Sequence, residues 1–154
     1  MKKVESIIVA LSLGILFNYF EQNILKSDYL LCFIKDNLVM LLIALLAINS
    51  TTMALVLTKI KELIDKSGKI DAFQKTKKEM LFSVKEHIVL ILLSIFFLVL
   101  NSSPIIQKCE HMTRFCNVLL ISDLMYSLFM LYDVSKSAFI ILDFNSSENN
   151  NRPS

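Results

Sequence analysis

Residues 38–58 read LVMLLIALLAINSTTMALVLT, an apolar run with Asn-Ser-Thr-Thr near its midpoint. The run is long enough to cross the hydrocarbon core of a bilayer, which takes about 20 residues of α-helix. A strand of a membrane barrel would instead alternate apolar and polar residues over about ten positions, and this run does not alternate. It therefore predicts a transmembrane helix with four hydrogen-bonding side chains at its centre.

Three further apolar runs predict three more transmembrane helices. They cover residues 4–20, 85–104 and 117–142, and the last either crosses throughout or ends near residue 132 and continues as a cytoplasmic or interfacial helix. We expect the first run to be a retained span, because no A-x-A-like cleavage site follows it. With 55% hydrophobic residues and a mean hydropathy of +0.58, the chain is more apolar than soluble domains usually are.

These runs together predict the fold class, an all-α integral membrane four-helix bundle. A single domain covers residues 1–144, and the polar residues 145–154 are expected to form a disordered tail. Residues 59–87 join the second and third spans and are predicted to form a helical hairpin outside the membrane, with Ser67-Gly68 as its turn.

Basic residues predict the orientation. The hairpin segment 59–87 carries eight lysines, whereas the connections on either side carry two basic residues each: Lys26 and Lys35 before it, Lys108 and Arg114 after it. The positive-inside rule therefore places the hairpin and, with four spans, both termini in the cytoplasm. We expect a multi-pass protein of a bacterial inner membrane.

The second span has two faces when its residues are placed 100° apart. One face is a seam of small side chains at heptad spacing, which lets a neighbouring helix approach closely: Ala44, Ala47, Thr51, Ala54 and Thr58. Asn49 and Thr52 lie on the other face. Threonine hydroxyls can bond back to their own helix, but Asn49 predicts an interhelical hydrogen bond, or else a place on a water-filled pore. This pattern favours a homo-oligomer, with a tetramer as the working guess.

Asp123 is the second polar group at membrane depth. A carboxylate in lipid is unfavourable by about 2.5–3.5 kcal/mol, so it is expected to face protein or water. Ser127, one turn further along, and Tyr126 are candidate hydrogen-bond donors to it. Asp123 is then either a protonatable or cation-attracting group or a carboxylate close to the membrane interface.

The hairpin segment carries apolar residues at spacings near seven or half of seven. Its predicted docking face for a soluble cytoplasmic protein comprises Ile70, Phe73, Lys77, Met80 and Val84. Two other interpretations remain: the two helices of the hairpin pack on each other through this stripe, or the lysines contact anionic lipid headgroups. Acidic residues alternate with the lysines, so direct nucleic-acid binding is not expected.

The remaining residue types predict little chemistry. Cys109 and Cys116 could form a disulfide bridge in an oxidising compartment, remain free thiols, or contribute with His111 to a metal site that lacks a fourth ligand. No P-loop, nucleophile elbow or HExxH motif is present in the sequence. We therefore expect no enzymatic activity, no cofactor and no metal.

In layout the chain resembles the small four-span membrane subunits of bacterial anti-phage defence systems, such as the Kiwa-type membrane component. The features that carry the resemblance are the N-terminal "MKK", four spans over the chain, and one charged connection at residues 59–87. The resemblance implies an oligomeric membrane sensor or anchor that works with a soluble effector. The alternative function is a small homo-oligomeric channel or membrane-permeabilising pore lined by Asn49 or Asp123.

Overall fold

The computed structural model describes the backbone of residues 3–67 and 70–150, and within these ranges the side chains of residues 63–76, 137 and 140–150 lie outside the described residues. The elements are α1 (Lys3–Tyr19), a π-helical segment (Phe20–Leu25), α2 (Tyr29–Ser67), α3 (Ile70–Ser102), the short α4 (Pro104–Gln107) and α5 (Glu110–Asn150). No strand occurs in either described range.

Four of these helices are long and apolar enough to cross a membrane. The qualifying segments are Lys3–Leu25, Tyr29–Glu62, Lys77–Ser102 and Glu110–Lys136. The prediction of an all-helical protein with four membrane-length helices is thereby confirmed, and the chain is a multi-pass membrane protein.

The helix boundaries differ from the predicted spans at several ends, and α5 begins at Glu110 rather than at residue 117. α2 begins at Tyr29, nine residues before the predicted start, because Leu31 and Ile34 extend its buried apolar stripe. α3 ends at Ser102 rather than 104, since Pro104 is the first residue of α4, where its missing N–H is tolerated. α5 continues to Asn150, past residue 145, where the sequence predicts the tail to begin.

α5 is the central helix of the bundle. It packs against α1, α2 and α3, and α2 also packs against α3. Half of its most apolar stretch is buried, compared with 11% for α3, which leaves most of α3 facing outward. The main core lies between α2 and α5 and consists of Leu31, Ile34, Leu38, Leu42, Leu120 and Ile121.

The connection from α1 to α2 is organised by Glu21. Its backbone carbonyl accepts the N–H of Ser27 at 3.2 Å and that of Lys26, which has a left-handed conformation with φ of 48°. Its side chain is only 5% exposed, and one carboxylate oxygen accepts the N–H groups of Leu30 at 2.6 Å and Leu31 at 3.2 Å. Glu21 therefore caps the first turn of α2, whose N–H groups have no partner within the helix.

α1 packs on α5 through a row of small or polar residues spaced four apart. The buried residues of α1 are Ser6, Ala10, Gly14 and Asn18. At Gly14 a methyl group would overlap the Ser122 hydroxyl and lie 2.9 Å from the backbone oxygen of Val118. The two helices thus approach so closely that only glycine fits at the crossing, as in small-xxx-small contacts between membrane helices.

Candidate functional site

Asn49, at the polar midpoint of α2, is buried against α3. Its side chain is 2% exposed, and its Nδ2 lies 3.5 Å from Nδ1 of His87, which is fully buried. The Nε2 atom of His87 lies 3.2 Å from the backbone oxygen of Leu42. The two polar side chains therefore join α2 to α3 inside one protomer.

The hydrogen-bond partners of His87 determine which of its ring nitrogens carries the proton. The Leu42 carbonyl can only accept, so Nε2 carries the hydrogen and Nδ1 is left as an acceptor for the Asn49 amide. The amide oxygen of Asn49 is buried and has no hydrogen-bond partner. Both ring nitrogens of His87 therefore have hydrogen-bond partners, whereas only the amide nitrogen of Asn49 has one.

A double-mutant cycle on this pair tests the contact. We expect Asn49→Leu and His87→Leu to show a coupling energy of about 0.6–1.7 kcal/mol, the range for interhelical hydrogen bonds in membrane proteins. The measurement is the free energy of unfolding of each variant in mixed micelles. The matched cycle pairs His87→Leu with Ser50→Leu, an exposed neighbour, and should show coupling near zero. Equal coupling in both cycles would contradict the assignment.

Asp123 is buried between α5 and α3. Its carboxylate is 9% exposed and accepts a hydrogen bond from the hydroxyl of Ser94, which is fully buried. The two donors expected from the sequence bind elsewhere, since Ser127 donates to the backbone oxygen of Leu124 and Tyr126 donates to Glu86. The expected donors on the same helix were wrong, because Asp123 faces α3 and finds its donor there.

Three polar pairs join α3 to α5 along the interior, and we call them the polar column. They are Glu86–Tyr126 at 2.6 Å, Ser94–Asp123, and Asn101–Asn117 at 2.7 Å. Buried polar groups in a membrane are expensive unless they find partners, and here each pair supplies partners across the helix contact. The column fixes the register of the two antiparallel helices.

A row of three buried polar residues on α3, two of which belong to the polar column, was not identified from the sequence. His87, Ser94 and Asn101 recur every seven residues along α3, which places them on one helical face. All three are buried. That heptad repeat in an otherwise apolar run was the signal that could have identified them.

The small-residue face of α2 (Ala44, Ala47, Thr51, Ala54 and Thr58) is exposed along its whole length. Its hydroxyls need no partner from outside, because Thr51 donates to the backbone oxygen of Ala47 and Thr58 to that of Ala54. Thr52 likewise donates to Ile48. This face therefore contributes little to packing within the protomer.

The predicted docking residues of the hairpin fall partly outside the described side chains, as Ile70 and Phe73 do. Lys77 is exposed, while Met80 and Val84 are half-buried. Met80 lines a cavity at the end of the bundle where α1 begins. The described docking residues thus lie partly against the bundle and partly on its surface.

Cys109 and Cys116, the candidate disulfide pair, are both free thiols. Cys109 is exposed just before α5, whereas Cys116 is 2% exposed within α5. One cysteine therefore lies on the surface and the other in the interior. Within the part of the chain that the structure describes, no three His, Cys, Asp or Glu residues form a group that could hold a metal ion.

Comparison with known proteins gives no relative: no protein-family description, no curated protein and no solved structure matches this chain.

Proposed function

We propose that the chain is a non-enzymatic, oligomeric membrane subunit that anchors and regulates a soluble cytoplasmic partner. The observation that carries the proposal is the exposed small-residue face of α2. Interfaces between membrane helices are enriched in small residues because the backbones can approach closely, whereas a lipid-facing surface gains nothing from them. A second copy of the chain is the partner that such a face fits best.

The polar side chains also distinguish the interior of the protomer from the exposed face of α2. Asn49 and Asp123 are turned inward and partnered within the protomer, so they hold the bundle together. The threonines of the small-residue face satisfy their hydroxyls on their own helix. The small-residue face is thus free of unsatisfied hydroxyls and suited to helix packing.

The site for the soluble partner, in this proposal, is the charged segment that joins α2 and α3. α2 continues to Ser67 and α3 begins at Ile70, so both helices extend into this segment. Its lysine excess places it in the cytoplasm by the positive-inside rule, with both termini on the same side. The helical hairpin, a bacterial inner membrane and a role in anti-phage defence are parts of the proposal that follow from the lysine distribution and from the layout resemblance.

The oligomer is tested by enlarging two residues of the small-residue face. We expect Ala47→Phe and Ala54→Phe, singly or together, to convert the oligomer to monomer, because the added ring holds the helices apart. The measurement is native mass spectrometry of the chain released from mild detergent. Leu92→Phe, which places the same ring at an exposed site of α3, should leave the oligomer intact. A monomeric wild-type chain would end the proposal.

The partner is tested with the gene neighbours that accompany this chain. A soluble protein should co-purify in fixed stoichiometry, and reversing the exposed charges with Lys77→Glu and Lys78→Glu should release it. Lys108→Glu, an exposed charge outside the hairpin, is the matched control. Binding that survives the hairpin changes and is lost in the control would contradict the assigned docking site.

The alternative function is a small homo-oligomeric channel or pore. It receives less support from the geometry, because Asn49 and Asp123, the expected pore-lining side chains, are buried in the protomer. Ion flux from liposomes that contain this chain alone, reduced by Asp123→Asn, would favour the pore over the anchoring subunit.

A further inference from the structure

Two neighbouring cavities lie beside α1. The first, which we call the polar cavity, has a volume of about 220 Å³ and is lined by residues that include Lys3, Glu79, Glu86 and Asp133. The second, the lateral groove, has a volume of about 350 Å³ and is almost entirely apolar. Glu86 and Tyr126 line both, so the cavities meet at this hydrogen-bonded pair.

The positions of the cavities match the two parts of a lipid. The polar cavity lies at the end of the bundle where α1 begins with Lys3, and the charged residues Glu79 and Asp133, which flank the apolar runs of α3 and α5, also line it. That is the depth of lipid headgroups. The lateral groove lies deeper along the same helices, between Ile7–Leu11 of α1 and Val89–Phe97 of α3. That is the depth of acyl chains.

The groove exists because α1 and α3 both pack on α5 but scarcely contact each other. Most of its walls are aliphatic and aromatic side chains, among them Ile7, Ala10, Leu11, Leu90, Leu93 and Phe97, and the polar residues Glu86, Ser122 and Asp123 also line it. A groove that opens to the side within a membrane-spanning segment is filled by hydrocarbon rather than by water, because contact between water and these apolar walls is unfavourable in free energy.

The polar cavity is lined by one ammonium and three carboxylates, so it offers a partner to each charge of a zwitterion. The Lys3 ammonium is 2.7 Å from Glu86 and 3.8 Å from the centre of the Phe82 ring, which fixes its position while its side chain stays 58% exposed. An ammonium has three donors, so Lys3 can also bind a phosphate. Glu79 is an exposed carboxylate on the same cavity and can accept from a primary amine.

We propose that these cavities hold one phospholipid with a primary-amine headgroup, of the phosphatidylethanolamine class. Lys3 binds the phosphate, Glu79 accepts hydrogen bonds from the ammonium, and one acyl chain lies in the lateral groove. A choline headgroup keeps the charge but has no N–H to donate, and a glycerol headgroup lacks the positive charge. The proposal is independent of the proposed function.

The test measures which lipid the full chain retains. The chain is exchanged into detergent with equal amounts of phosphatidylethanolamine, phosphatidylcholine and phosphatidylglycerol, and bound lipid is counted by native mass spectrometry. We expect one phosphatidylethanolamine per chain, bound about tenfold more tightly than the other two. Glu79→Leu, which removes the acceptor, should abolish that preference, whereas Glu110→Leu, a change at an exposed carboxylate on α5, should keep it.

The groove is tested with adjacent leucines of α3. Leu93→Trp places an indole in the groove and should abolish retention, whereas Leu92→Trp, which does not line it, should leave retention unchanged. Equal retention in these two variants, or equal binding of all three lipids by the wild type, would overturn the proposal. Displacement of the lipid by soluble phosphoethanolamine at the concentration at which the lipid itself competes would also overturn it, because the acyl chain would then contribute nothing.

Discussion

Replacing Gly14 with isoleucine is expected to separate α1 from α5 and to destabilise the protein by about 3 kcal/mol or more. Even the Cβ atom would overlap the Ser122 hydroxyl, and it would lie 2.9 Å from the Val118 backbone oxygen, which cannot rotate away. The measurement is the free energy of unfolding in mixed micelles. A cross-link between cysteines placed on α1 and α5 would report the separation directly.

Two further variants make the Gly14 prediction specific. Ser12→Ile adds comparable bulk to an exposed position of the same helix and should be close to neutral. Gly14→Ala should be milder than Gly14→Ile, and adding Ser122→Ala should restore part of the loss, since the nearest atom to the new methyl group is then gone. A Gly14→Ile protein as stable as the Ser12→Ile protein would contradict the close crossing of α1 and α5.

Replacing Glu21 with alanine is expected to cost about 1.5–3 kcal/mol of stability, the range for hydrogen bonds to charged groups. The change leaves the N–H groups of Leu30 and Leu31 without their acceptor at a site where Glu21 is 5% exposed. It also removes a negative charge from the N-terminus of α2, where the helix dipole favours one. Unfolding free energies measure the total effect.

Amide hydrogen exchange separates local fraying from a general loss of stability. In Glu21→Ala the amides of Leu30 and Leu31 should lose protection first, ahead of those at the centre of α2. Glu21→Gln keeps an oxygen acceptor without the charge, so we expect it to lose less than half as much stability. If the alanine variant kept full protection at both amides, the carboxylate cap would be excluded.

The helices could be predicted from the sequence because membrane-length apolar runs are a property of each segment alone. The partners of the polar side chains could not, because a single helix fixes which face a residue occupies and not which helix meets that face. Asp123 illustrates the limit: its own helix offered Ser127, whereas its partner is Ser94, 29 positions earlier in the chain.

Other features were visible in the sequence but needed a second helix to interpret. Ser6, Ala10 and Gly14 form a small-xxx-small row in α1, yet α2 carries a comparable small-residue face. Only the packing distinguishes them, since the first is buried against α5 and the second is exposed. Spacing alone therefore identifies helix-packing faces without saying whether they serve the protomer or an oligomer.

The most direct test of the proposed oligomer is a cysteine scan along α2 in native membranes. Cys32, Cys109 and Cys116 are first replaced by alanine, and single cysteines are then introduced at positions 44–58 and oxidised. The account predicts cross-linked dimers at Ala44, Ala47, Thr51, Ala54 and Thr58, and little cross-linking at the positions between them. Cross-linking that is absent throughout, or that follows the opposite face of α2, would contradict it.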